Sequence, residues 1–360
     1  MKKLLGMLGT ITILGSAMST VIAASPYPYF KKLNKEYTVT KIAGIEKAIS
    51  SMAIDSQNNV YYGASNGLVY KLKNNEVIVS TINGIENNSR IESIIIDTND
   101  NVYFATSTGG YKLNNNETII TKIAGIEDYV WLALIDNSNN VYFVSNNDGI
   151  YKLINNKAEK IPKIIGKILT FIVDKNNNKF YWILNKGIFL LKNGENNSIK
   201  ICGIKGGYGF LTFVDNDNNI YIGAKKKDGY SLYVIKNNEN WGTKIKNINT
   251  QVRSIATDNN NNIYIGTDNK GAFSLSTIEL TKEKPRAKQI NELKTNTGIN
   301  AIAVDSQNNV YFGGGYDFGF YIIENNKKIK INEINNPVFF IISNQNKIYV
   351  STIYEGYIIE

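Results

Sequence analysis

The sequence predicts an all-β chain folded as a single β-propeller of eight blades, each of four antiparallel strands, and three observations predict it. First, an apolar run that ends in an acidic turn and restarts with tyrosine occurs eight times, as in IDSQNNVYYGAS (Ile54 to Ser65) and VDSQNNVYFGG (Val304 to Gly314). The turn residues are Asp55, Asp97, Asp136, Asp174, Asp215, Asp258 and Asp305, with Ser343 in the eighth place, at steps of 42, 39, 38, 41, 43, 47 and 38. Second, a period of about 40 residues without helical segments is that of a propeller blade. Third, EYTVTKIAGI (Glu36 to Ile45) repeats TIITKIAGI (Thr118 to Ile126) almost word for word. The N-terminal strand therefore belongs to the same series and is expected to complete the blade begun by the C-terminus, closing the ring and removing its open edges.

The second copy shows the four strands in order: ESIIID, VYFATS, YKL and ETIITKIAGI, separated by TNDN, TGG and NNN. Apolar and small residues fill the first strand, as in a strand buried on both faces at the inner edge of a ring. The second carries the recurring tyrosine (Tyr61, Tyr103, Tyr142, Tyr181, Tyr221, Tyr264, Tyr311, Tyr349), an aromatic large enough to wedge between blades. In the D-x-x-N-N turn between them, Asp accepts hydrogen bonds from backbone N–H groups a few residues on, and Asn tolerates the left-handed conformation. The run Asp215-Asn216-Asp217-Asn218-Asn219 resembles the start of a calcium loop, but Ile220 to Gly223 supply no completing acidic ligand, so turn capping is the reading and no metal site is assigned. The last copy, VFFIIS, KIYVST and GYIIE, stops before a fourth strand, the strand that Glu36 to Ile45 supplies. Residues 36–360 thus form the propeller.

The first residues read as a secretory leader. Lys2 and Lys3 precede an apolar stretch from Leu4 to about Leu14 and then small residues, with Val21 and Ala23 placed for cleavage after Ala23. The expected division is a signal peptide at 1–23 and a linker at 24–35, containing Pro26 and Pro28. No later segment has the roughly 18 apolar residues of a membrane span, so a secreted or outer-surface location is expected. The single cysteine, Cys202, allows no internal disulfide, and its place in an outer strand suggests burial. The chain has no histidine, which removes the commonest general base and transition-metal ligand.

Formal net charge is +9, falling to +7 without Lys2 and Lys3, and Arg90, Arg253 and Arg286 are the arginines. Asn, Lys, Ile and Tyr are over-used together, as an AT-rich coding sequence would give, so the basic charge does not indicate a nucleic-acid partner. The leader is similar to those of secreted proteins of AT-rich, wall-less bacteria, and that resemblance implies export to the cell surface or medium. IESIIIDTNDNVYFATSTGGYKL and VRSIATDNNNNIYIGTDNKGAFSL resemble the sensor propeller repeats of two-component regulators, and INAIAVDSQNNVYFGG is also similar to NHL-type and lactonase-like repeats. The resemblance implies the fold over about nine-tenths of the chain and no particular ligand. A signalling output is not implied, because no membrane span or kinase segment accompanies the repeats.

Function in such a scaffold sits in loops that differ between copies. The residues five before each turn position, Ser50, Glu92, Trp131, Leu169, Phe210, Arg253, Asn300 and Val338, are expected to ring the channel mouth. Glu92 is the one carboxylate among them. A metal-dependent lactonase-like hydrolase needs several oxygens on one cation, and paired-carboxylate glycoside chemistry needs a second acid at about 5 to 10 Å; the ring offers neither, although Glu46, Glu86, Glu127, Asp317 and Glu355 could lean in. The recurring Gly-Ile-Glu at 44–46, 84–86 and 125–127 reads as an inherited loop. Aromatics are more informative: Tyr129, Trp131, Tyr208, Phe210, Tyr316, Phe318 and Tyr354 lie at or near the face, where exposed rings serve glycan and protein contacts. The longest second-to-third-strand loops are Ala224 to Tyr230, with Lys225, Lys226 and Lys227, and Gly313 to Gly319. The expectation is a monomeric, non-enzymatic binding module without cofactor that recognises a protein or glycan on a cell surface, adhesive or sensory in kind, through Glu92, Trp131, Phe210, Arg253, Asn300, Tyr208, Tyr316, Asp317 and Tyr354. The alternative is the lactonase-like hydrolase, using Glu92 and a divalent ion.

Overall fold

The computed structural model describes residues 37–360 except 163, 205–206, 228, 326 and 345–346; the expected leader and linker lie outside the described residues. Eight four-stranded antiparallel sheets follow one another along the chain. In the first, Ile49–Ile54, Val60–Ala64, Val69–Leu72 and Ser80–Ile82 pair in sequence order. The first strands of neighbouring blades pack against each other, as Ile49–Ile54 does on Ile91–Ile96 and Val252–Thr257 on Ile299–Val304. They form the inner layer, and eight apolar clusters fill the spaces within and between blades.

The eighth blade is made from both ends of the chain. Val338–Asn344, Lys347–Thr352 and Gly356–Ile359 are joined at the outside by Val39–Ile42, with Val39 opposite Ile359 and Ile42 opposite Gly356. Thr38 and Glu360 exchange backbone hydrogen bonds of 3.0 and 3.1 Å. Glu355 fastens this seam: its carboxylate accepts from Lys41 Nζ at 2.5 Å, Tyr357 Oη at 2.7 Å and Asn336 Nδ2 at 2.7 Å. The Lys41 ammonium, followed by the Tyr357 hydroxyl, holds the carboxyl well below its ordinary 4.5, at about 2. A depressed carboxylate pKa stabilises the fold above the unfolded value, and that stability is lost as pH falls from about 4.5 toward 2. Allowing for solvent screening, Glu355→Gln is expected to cost about 1 kcal/mol near neutral pH, and its urea midpoint should converge on the parent's as pH drops below about 3. A gap that stays constant with pH would remove the carboxylate from the seam.

The turn aspartates tie each turn to the tyrosine of the second strand in the same hairpin. Asp97 Oδ1 accepts from the amides of Asn99 and Asn101 at 2.9 and 2.8 Å, while Oδ2 accepts from Asn101 Nδ2 at 2.8 Å and Tyr103 Oη at 3.0 Å. The same set recurs at Asp55, Asp136, Asp215, Asp258 and Asp305. Its tyrosines are therefore core residues with a polar partner, Tyr264 alone among these six being partly buried. In the fourth blade Tyr181 hydrogen-bonds Ser198 instead.

The third turn residue joins the blades. Asn58, Asp100 and Asn139 have φ of 67°, 60° and 61°, as expected of Asn and Asp in left-handed turns. Their side-chain oxygens face the preceding blade. Ser56 N donates to Asp100 at 2.9 Å, Thr98 N to Asn139 at 3.0 Å, Asn137 N to Asn177 at 3.1 Å, Lys175 N to Asn218 at 2.7 Å and Asn259 N to Asn308 at 2.9 Å. Asn344 Nδ2 donates to Asn58 and carries this chain of bonds from the last blade to the first.

Three expectations are corrected. The 47-residue step contains a short helix, Thr277–Thr281, where none was expected; Ser276 caps it by accepting from Glu279 N. Cys202 is exposed, because its main chain bridges to Trp241 of the next blade while its side chain projects from the outer edge. In the eighth blade the first hairpin is one residue shorter: Ile342 lies opposite Tyr349, as Ala53 lies opposite Tyr61. Asn344, and not Ser343, thus takes the aspartate's place.

Candidate functional site

The connections entering each first strand and those joining second to third strands lie at one end of the sheets, opposite the aspartate turns. At this end every blade has a bulge. The register between first and second strands skips one residue, between Ile49 and Ser51, Ile91 and Ser93, Val130 and Leu132, Ile168 and Thr170, Gly209 and Leu211, Val252 and Ser254, and Ile299 and Ala301. The skipped residues are Ser50, Glu92, Trp131, Leu169, Phe210, Arg253 and Asn300, the ring expected from spacing. A bulge re-aims its side chain out of the pleat, which is how a regular inner strand presents one residue per blade at the mouth. In the eighth blade the skipped residue is Phe339. Val338, expected in the ring, is fully buried as a result of the shortened hairpin.

The polar ring members are engaged with neighbours. Ser50 Oγ donates to Gly63 O at 3.1 Å and also to Ile91 O in the next blade. Arg253 pairs with Asp268, and its Nη1 reaches Asn300 Oδ1 at 3.3 Å; Asn300 Nδ2 in turn donates to Val338 O at 3.1 Å. Glu92 lies 3.2 Å from Arg90 Nε and accepts from the Tyr129 hydroxyl. Burial pushes the Glu92 carboxyl up, against the opposing pull of Arg90. Burial, with the Glu92 charge beside it, pushes the Tyr129 phenol up to about 12. Three of the five outer-loop acids are likewise tied: Glu86 to Lys122 at 2.9 Å, Glu127 to the same ammonium at 3.7 Å, and Glu355 to Lys41. Among the described residues no group of three or more Cys, Asp or Glu is placed to hold a metal ion.

The aromatics divide by depth. Tyr208, Tyr316 and Tyr354 are 55%, 72% and 62% exposed. Trp131 and Phe210 are half-buried, with one side on the core clusters below. Phe318 is a core residue, packed edge-on to Tyr321 at 4.8 Å between ring centres; the tight Gly315–Gly319 turn folds it back and leaves Tyr316 and Asp317 outside. Lys225 and Lys226 lie in strand and not in loop, since Ile220–Lys226 and Gly229–Ile235 form the longest hairpin at this end. Tyr230, which spacing did not single out, sits beside Phe210 with 5.8 Å between ring centres.

The Gly-Ile-Glu motif has a structural origin. Gly44, Gly84 and Gly125 have φ of +90°, +127° and +89° and lie where the outer end of one blade meets the next, marked by the bridges Ala43–Ile78, Asn83–Ile119 and Ala124–Lys157. A Cβ at Gly84 would stand 2.0 Å from Ile120 O, and one at Gly125 would stand 2.4 Å from Ala158 O.

A closed ring of eight blades with one bulged side chain apiece at the mouth defines a β-propeller repeat protein. Residues 248–269, which cover the first two strands of the sixth blade, match the family described as two component regulator propeller. No curated protein matches the sequence. Among solved structures the chain is similar to the computationally designed Ika8 protein, with a TM-score of 0.71 at 11% identity over 89% of this chain and 98% of that one. The extracellular domain of the putative hybrid two component system BT3049 from B. thetaiotaomicron gives a TM-score of 0.57 at 15% identity, over 88% of this chain and 52% of that one. A catalytically inactive virginiamycin B lyase from Staphylococcus aureus, with quinupristin, gives 0.58 at 10% identity, over 90% and 99%. At these identities the likeness is one of fold.

Proposed function

We propose that this protein is a non-enzymatic binding module, sensor-like or adhesive, acting outside the cell and recognising a protein or glycan through the end of the propeller that carries the bulges. The observation that carries the reading is the division of labour at that end. The polar ring side chains Ser50, Arg253 and Asn300 are occupied by blade-to-blade bonds, whereas Tyr208, Tyr316 and Tyr354 present their rings to solvent. Exposed tyrosines on a rigid support give large contact area at low entropic cost.

The family match at 248–269 and the extracellular two-component domain support a sensory or surface role, and no helix among the described residues is long and apolar enough to cross a membrane. The lyase neighbour does not carry over as an activity. That enzyme is described as inactive when one histidine is replaced by alanine, and this chain has no histidine.

The test is binding of purified residues 24–360 to an array of surface glycans and to intact cells, compared with Trp131→Ala, Tyr316→Ala and Tyr354→Ala. Tyr316→Ala and Tyr354→Ala should keep their unfolding free energy in urea within about 1 kcal/mol of the parent, while affinity falls about tenfold for at least one of the three variants. Binding unchanged in all three would move the site elsewhere, and no binding to any surface would end the reading.

A further inference from the structure

One blade departs from the other seven at the proposed binding end. In the second blade the hairpin of second and third strands closes at Thr106 opposite Gly109. In the fifth the equivalent pair is Ala224 opposite Ser231, and pairing continues through Lys225 opposite Tyr230 and Lys226 opposite Gly229. The first strand follows, with Tyr208 opposite Lys225. Residues directly opposite in a sheet share a face, so Tyr208, Lys225 and Tyr230 form a row across three strands, beyond the rim of the neighbouring blades.

Glycines build the support under this row. Gly207, at φ +107°, has its Cβ position 1.9 Å from Lys225 O, so only glycine lets the first strand run up to Tyr208. Gly223 has no side chain where the Phe210 ring lies, its Cβ position being 2.7 Å from that ring. Phe210 then meets Tyr230 edge to face, and Lys225 Nζ stands 5.5 Å from the Tyr230 ring centre. Lys225, Lys226 and Lys227 make no ion pair among the described residues, in contrast to Lys41, Lys122 and Lys160, which each hold a carboxylate. The result is a shelf of three aromatic rings edged by lysine ammonium groups, with Lys226 Nζ 5.0 Å from the Tyr233 ring centre.

Resting on the reading of this end as a binding face, we propose that the extended hairpin of the fifth blade is a subsite for an anionic saccharide. Tyr208 and Tyr230 would stack on the C–H faces of sugar rings, and Lys225 and Lys227 would take the carboxylate or sulfate. Tyrosine faces suit sugar rings because both are flat, amphipathic surfaces, and flexible lysine ammoniums suit anionic groups that vary in position along a chain.

The experiment is calorimetric titration of residues 24–360 with three probes at physiological salt: a sulfated heparin octasaccharide, a carboxylated hyaluronan octasaccharide and a neutral chitin hexasaccharide. At least one acidic probe should bind and the neutral one should bind at least about tenfold more weakly; which acidic probe wins identifies the anion. Lys225→Gln with Lys227→Gln should reduce affinity about tenfold, and Tyr208→Ala about fivefold at unchanged charge. A control that removes the same charge elsewhere, Lys284→Gln with Lys288→Gln, should leave affinity within about twofold. Equal losses in both lysine pairs, or no loss in Tyr208→Ala, would reduce the effect to general charge and overturn the subsite. Tighter binding of a single-stranded oligonucleotide than of either acidic saccharide would overturn the ligand class. Failure of both acidic probes while cell-surface binding persists and is lost in Trp131→Ala would refute this inference and leave the broader reading standing.

Discussion

Gly84→Ala is expected to destabilise the fold by about 3–5 kcal/mol, the largest effect of a single methyl anywhere at the blade junctions. Two costs combine. The backbone there has φ of +127°, which L side chains rarely adopt, and the new Cβ would stand 2.0 Å from Ile120 O and 2.7 Å from Ile120 N. Neither atom is the free end of a side chain: Ile120 N donates to Asn83 O at 2.9 Å, so the clash is relieved only by separating two blades. A control isolates the first cost. Gly194 also has a positive φ, of +78°, but a Cβ there meets nothing within 4 Å, so Gly194→Ala should lose only about 1 kcal/mol of backbone strain. Urea denaturation of both variants tests the point, and equal losses would show that the close approach at Gly84 relaxes freely.

This glycine also shows what sequence reading could and could not reach. The period of the turns identified the blades, and the copy of TIITKIAGI near the N-terminus identified the strand exchange, because both are similarities along the chain. The ring was legible for the same reason: seven bulges keep a constant distance from their aspartates. It failed in the eighth blade, where one residue fewer in the hairpin moved Phe339 into the position assigned to Val338.

Contacts between blades left no local periodic signal. The recurring Gly-Ile-Glu was visible as a repeat, yet its cause lies in the carbonyl of a blade about one period away. The Asn of each turn was read as a residue that tolerates positive φ; its second role, accepting from the preceding blade, depends on geometry between turns. Burial of individual aromatics was equally out of reach. Tyr316 and Phe318 are two residues apart in one glycine-rich turn, and only the fold places one outside and the other in the core. The shelf of the fifth blade needed Tyr230 and Gly223 in register with Tyr208, and register is set by hairpin pairing.

Asp215→Ala is expected to cost about 3–5 kcal/mol for a different reason, the number of buried donors left without an acceptor. Asp215 is 1% exposed. Its Oδ1 accepts from Asp217 N at 2.9 Å and Asn219 N at 2.8 Å, and its Oδ2 from Asn219 Nδ2 at 2.8 Å and Tyr221 Oη at 2.9 Å. Alanine removes all four acceptor contacts while Tyr221, fully buried, cannot turn to water. Tyr221→Phe removes one donor together with its need for a partner, so it should cost about 1 kcal/mol. In Asp215→Asn one oxygen remains for the two backbone amides, but the new NH2 faces the Asn219 amide and the Tyr221 hydroxyl, which places its cost between the other two. The order Ala, then Asn, then Phe in urea midpoints is the signature of an acceptor shared by several donors. If Asp215→Ala cost no more than Tyr221→Phe, the aspartate would not act as an acceptor shared by the several donors of its hairpin. The repeated aspartate also bears on where function can evolve. The aspartate recurs at the turn end of seven blades, whereas the ring position at the opposite end differs from blade to blade, from Ser50 to Arg253.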